Sequence, residues 1–86
     1  MQVAVYDTYV TDRNGKLMHF DVIVPTDTPS EKAIEFGHAY LKKKNRQVQA
    51  LTSEQCRFCH TEPAAADVEA AIGEDGYYIL EMQGCR

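Results

Sequence analysis

The sequence contains no run of apolar residues approaching the length of a membrane-spanning helix, so no membrane partner is expected. Basic charge is also sparse. Nine Lys and Arg stand against thirteen Asp and Glu, and the segment from Thr61 to Arg86 carries six acids and a single Arg. Nucleic-acid binding needs a concentrated basic surface, so that partner class is set aside as well. The one basic cluster, Lys42-Lys43-Lys44-Asn45-Arg46, closes an expected helix, where cations complement the negative end of the dipole. Cysteine is scarce and odd in number. Three thiols, with no charged and apolar leader at the N-terminus, speak for reduced cysteines and a cytoplasmic location rather than a secreted disulfide framework. There are no repeats, no phosphate-cradling glycine loop, no Gly-x-Ser-x-Gly elbow and no paired-carboxylate motif of characteristic spacing. Catalysis of its own therefore finds no support in the residues.

What is present describes one domain over residues 1–86. Apolar residues make up 44% and charged residues 26% of the chain, proportions of an ordinary globular protein, and the length suffices for folding without a disulfide or metal staple. Gln2 to Thr11 alternates Val, Tyr and Thr with polar residues, the pattern of a strand. Asn14-Gly15 marks a hairpin turn, and Leu17 to Val24 returns as the second strand until Pro25 stops it. With Asn14-Gly15 as a two-residue loop, Thr8 stands opposite Asp21, Asp7 opposite Val22 and Tyr9 opposite Phe20. One face then gathers Val3, Val5, Tyr9, Met18, Phe20, Val22 and Val24 as the core, and a three-residue loop would swap the faces.

Thr28-Pro29-Ser30-Glu31 reads as a capped helix start, with Ala33, Ile34, Phe36, Gly37, Tyr40 and Leu41 as its apolar stripe. Gly37 within that stripe predicts close approach to the sheet. Gln47 to Leu51 is a candidate short strand. Thr52-Ser53-Glu54-Gln55 fits a second capping box, opening into an extended segment through Phe58 to Thr61. A second helix follows from Pro63 through Ile72, ended by Gly73 or Gly76, and Tyr77 to Met82 is the last strand. The order β-β-α-(β)-β-α-β predicts an α+β fold. It is expected as a two-layer sandwich, with an N-terminal β-hairpin and further strands in a mixed sheet and both helices over one face.

Chemistry concentrates at Cys56-Arg57-Phe58-Cys59-His60. A C-x-x-C turn can bring two thiolates to one tetrahedral zinc ion, with His60, His19 or Cys85 available to complete the site. The same spacing serves thiol redox chemistry when the first Cys sits at a helix N-terminus, but here Cys56 falls late in its expected turn. It also matches a c-type haem attachment sequence, which requires export. The plainer role for both thiols is that of small buried hydrophobes. A second constellation, Tyr6, Thr8, His19 and Asp21, lies on the mixed face of the expected hairpin; its plainer role is a solvated, hydrogen-bonded patch. Asp7 is odd in its apolar surroundings, because a buried carboxylate needs a partner.

Four blocks in fixed order resemble a small bacterial family known as domain of unknown function 2024. They are Val3-Ala4-Val5-Tyr6-Asp7-Thr8-Tyr9-Val10, Gly15-Lys16-Leu17-Met18-His19-Phe20-Asp21, Cys56-Arg57-Phe58-Cys59-His60 and Gly76-Tyr77-Tyr78-Ile79-Leu80-Glu81-Met82, and together they span nearly the full length. The resemblance implies a compact bacterial α+β domain and carries no activity, ligand or catalytic residue with it. The leading expectation is a small cytoplasmic binding or regulatory module without catalysis of its own. Its partner would be a protein, a small molecule, or a second copy in a homodimer across the mixed face. Zinc held through Cys56 and Cys59 is the alternative, and a thiol redox protein the third reading.

Overall fold

Alternating Val, Tyr and Thr build the first strand, β1 at Gln2–Thr11, and β2 returns at Leu17–Pro25 in a computed structural model that describes residues 1–45 and 51–85. Helix α1 spans Ser30–Lys43, strand β3 Cys56–Pro63, helix α2 Ala66–Asp75 and strand β4 Tyr78–Gln83. The four strands form one sheet in the order β3-β1-β2-β4. The α+β class and the order of elements are as expected. All three pairings are antiparallel, where a mixed sheet was expected. The reason is topological: β3 and β4 add to opposite edges of the hairpin, so α2 crosses from one edge to the other instead of joining parallel neighbours. Of the candidate strand at Gln47 to Leu51, all but Leu51 lies outside the described residues. No helix of the described residues is long and apolar enough to cross a membrane.

The hairpin turn departs from the expected register, and Asp12 is the cause. Its Oδ1 accepts hydrogen bonds from the backbone N–H of Asn14 and of Lys16, each at 2.9 Å. The Asp12 N–H donates to the Lys16 carbonyl at 3.0 Å, while Gly15, at φ 78°, donates to the Asp12 carbonyl at 2.9 Å. This is a three-residue loop, Arg13-Asn14-Gly15, with glycine in the left-handed position that such loops require. The pairing therefore slips by one residue: Val5 faces Ile23, Asp7 faces Asp21, Thr8 faces Phe20 and Tyr9 faces His19. A slip of one exchanges the faces of one strand relative to the other.

The main core consequently holds Ala4, Tyr6 and Val10 of β1 with Met18, Phe20, Val22 and Val24 of β2, and buried Thr8 lies among them. Helix α1 closes over it with Ala33, Tyr40 and Leu41. Val3, Val5 and Ile23 face the other way and pack with Ile72 and Val68 of α2. The helices thus lie on opposite faces, not both on one, because two apolar patches exist and each takes its own helix. A Cβ at Gly37 would stand 2.7 Å from Leu51 Cδ2 and 3.3 Å from Val22 Cγ2, so the helix meets the sheet closely there, as its glycine predicts.

Several local signals take their expected form in the structure. Thr52 and Gln55 form the reciprocal box: the Thr52 N–H donates to Gln55 Oε1 at 3.0 Å and the Gln55 N–H to Thr52 Oγ1 at 3.3 Å. Gly76 ends α2 at φ 87°. At α1 the cap is Pro29, one residue later than Thr28, and no side-chain cap bond forms. The C-terminal end of α1 is tied to β4 instead: the Tyr40 hydroxyl donates to Glu81, and Lys44 Nζ lies 3.0 Å from the same carboxylate.

Candidate functional site

Residues directly opposite on antiparallel strands project from the same face, so the observed register brings Asp7, Tyr9, His19 and Asp21 together. Helix α2 covers only the end of this face that carries Val3, Val5 and Ile23. The polar group occupies the half left open, where Tyr9 is 48% exposed. Within it, His19 Nε2 donates to Asp7 Oδ1 at 3.0 Å. The Tyr9 ring stacks on the imidazole, with centroids 4.0 Å apart and planes 12° from parallel. Asp21 sits lowest, 5% exposed, and its Oδ1 is buried without a hydrogen-bond partner among the described residues. One donor atom from each of Asp7, His19 and Asp21 lies within 4.8 Å of the other two.

The two carboxyls titrate in opposite directions. Burial, reinforced by a hydrogen bond and charge repulsion with Asp7, pushes Asp21 up to about 7. Asp7 is held below the usual carboxylate range, first by the hydrogen bond from Asp21 and then by His19. Two like groups this close share one proton, and here Asp21 keeps it. His60, on the neighbouring β3, lowers both carboxyls through its charge. Beside the group, an open depression is lined by Asp7, Tyr9, Glu54, Arg57, Phe58 and Cys59.

The residues singled out in the sequence are distributed differently. Tyr6 and Thr8 leave the Tyr6, Thr8, His19, Asp21 constellation for the opposite face, where the Thr8 hydroxyl donates to the Tyr6 carbonyl at 3.3 Å. Asp7 replaces them. Its misfit in an apolar set was the legible signal, and the partner it needs is His19.

Cys56 and Cys59 lie on the extended strand β3, not in a turn. Three residues of extended chain span about 10 Å, beyond the Cα separation of roughly 7 Å that a disulfide bridges and beyond the reach of one zinc ion. Cys56 is buried against the core, and burial pushes its thiol pKa up despite a hydrogen bond with Thr8. Cys59 is exposed at the β-bulge where the pairing jumps from Phe58 to His60. His60 Nε2 lies 2.6 Å from Glu62 Oε1 on its own strand. Cys85 is buried, its thiol directed to the carbonyls of His19 at 3.5 Å and Gln83 at 3.4 Å. Among the described residues the only converging donor set is Asp7, His19 and Asp21, so the zinc and redox readings built on the cysteine pair lose their geometry.

This burial pattern sets an expected labelling result. In native protein a thiol reagent should modify Cys59 rapidly and the other two cysteines slowly. Two or three fast thiols by mass spectrometry would contradict the burial of Cys56 and Cys85.

The family described as "Domain of unknown function (DUF2024)" matches residues 1–82. None of the curated proteins matches. Among solved structures, the chain is similar to the NMR structure of protein NE1680 from Nitrosomonas europaea, a structural-genomics target. The identity is 45%, the match covers 100% of both chains and the TM-score is 0.87.

Proposed function

We propose that this chain, which belongs to the DUF2024 family, is a small cytoplasmic binding module without catalysis of its own, whose ligand site is the open half of the sheet. The observation that carries the reading is the buried Asp21 Oδ1, without a hydrogen-bond partner among the described residues and beside Asp7 and His19. A buried polar atom left unpaired costs about 1–3 kcal/mol, and such a cost is retained where a ligand supplies the missing partner. Two carboxyls within reach of one another call for a cationic group, either an organic cation with N–H donors or a metal ion. The module reading, as against an enzyme, is supported by the setting: three groups on one open half-sheet have no enclosing wall to keep water from a reacting bond.

The reading is tested by amide chemical shifts of the isotopically labelled chain at pH 7.5. The probes are methylammonium, guanidinium and divalent metal salts, added separately. At least one is expected to move the amides of Asp7, His19 and Asp21 saturably in the native protein and not in Asp21→Asn. If every probe leaves those amides in place, or moves them equally in the variant, the site reading fails.

A further inference from the structure

We propose that Asp7, His19 and Asp21 hold a single first-row divalent metal ion, through one carboxylate oxygen of each aspartate and Nε2 of His19. This rests on the open half-sheet being the ligand site, and it names the ligand. The distances carry the argument. For metal–ligand bonds of 2.0–2.1 Å, adjacent ligands of an octahedron stand about 3.0 Å apart, whereas those of a tetrahedron stand about 3.4 Å apart. Nε2 of His19 and Oδ1 of Asp7 are separated by 3.0 Å, a hydrogen bond whose length also matches the octahedral edge, and the ion would take the place of the shared proton. Opposite ligands of that octahedron would lie about 4.2 Å apart. All three donors already fall within 4.8 Å of one another, and since three ligands of one octahedron include at most one opposite pair, closing on one ion shortens no separation by more than about 1.8 Å.

Asp21 supplies an observation independent of the spacing. The residue is 5% exposed, yet Oδ1 has no hydrogen-bond partner among the described residues, an arrangement an ion at the centre of the group would complete. The stacked Tyr9 ring restricts rotation of the imidazole plane. The donors come from the two central strands, which fix their spacing better than loops would. Two carboxylates and one imidazole form a borderline donor set that suits Mn²⁺, Fe²⁺, Co²⁺ or Zn²⁺. Three protein donors leave positions of an octahedron for water or for a small anion entering from the open side.

The experiment uses the full chain stripped with a chelator and titrated with Mn²⁺ and with Zn²⁺. One ion per chain is expected, with Mn²⁺ broadening the amides nearest Asp7, His19 and Asp21 and Zn²⁺ raising the unfolding temperature. Asp21→Asn and His19→Gln should each weaken binding at least about tenfold, the lower end of what loss of a supporting group alone produces. Both variants are checked for native amide spectra, so that misfolding is not mistaken for a lost ligand. The Cys56→Ser, Cys59→Ser double variant should bind as the native chain does. The inference is overturned by the absence of saturable binding, by binding that survives both Asp21→Asn and His19→Gln, or by binding lost with the two cysteines. If no metal binds but methylammonium or guanidinium still shifts the site amides, only the metal assignment falls; if none of them does, the site reading falls with it.

Discussion

Phe20→Ala is expected to remove about 3–5 kcal/mol of stability, a large share of the roughly 5–15 kcal/mol that holds such a domain folded. Phe20 has no exposed surface, and its ring packs on Tyr40 with centroids 4.7 Å apart. Truncation therefore leaves a cavity between the sheet and α1 that the close contact at Gly37 gives little room to collapse. Tyr9→Ala is the informative comparison. Tyr9 is half-exposed and gives up mainly its stack on His19, so its loss should not exceed about 1.5 kcal/mol. A two-residue turn would have put both rings in the core and made the two costs similar. Urea unfolding of the two variants, compared at constant slope, decides between the registers: equal large losses would rule out the Asp12 turn.

Stability of the metal-free chain should fall as pH rises from about 4 to 7, the reverse of the usual acid sensitivity. Asp21 is raised from an ordinary 3.8 to about 7 in the folded chain. Between those values the folded state binds more protons than the unfolded state, so each step up in pH favours unfolding. The contribution is fully present below 3.8 and lost by about 7. At 1.36 kcal/mol per pH unit the ceiling is about 4 kcal/mol, and water on the open side reduces the expected loss to about 2 kcal/mol. Asp7, with its carboxyl held low, has the opposite sign and loses its contribution only as pH falls below the ordinary range. Asp21→Asn should flatten the slope and leave the chain more stable than the native one at pH 7.5. Unfolding midpoints at pH 4.5 and 7.5 test this, and an unchanged slope in the variant would assign the effect to other groups.

Much of the fold was legible because its signals are local. The alternation in β1, the Thr52 and Gln55 box, the glycine that ends α2 and the close approach at Gly37 each depend on a few neighbouring residues. The faces of the hairpin were not, although the deciding residue stood two places before Asn14-Gly15. Asn-Gly serves loops of two residues and of three, and the Asp12 carboxylate selects the longer one by taking two backbone N–H groups. That single residue moves Asp7 beside Asp21, so the candidate site was hidden behind the turn and not behind any missing motif. The Cys56 to His60 stretch misled for a different reason. Its extended form is imposed by pairing with β1, about fifty positions away, and no local pattern distinguishes that from a metal-binding turn.

The order β3-β1-β2-β4 places the two strands nearest in sequence at the middle of the sheet. Closing a three-residue loop is fast and entropically cheap, whereas β3 and β4 must return across much longer stretches of chain. The hairpin is therefore the natural nucleus of folding, and the outer strands dock on it afterwards and can open from it separately. Asp7, His19 and Asp21 all belong to that nucleus. Their spacing is set early and survives the fraying of either edge, which makes the site the most persistent part of the molecule even though it lies open to solvent.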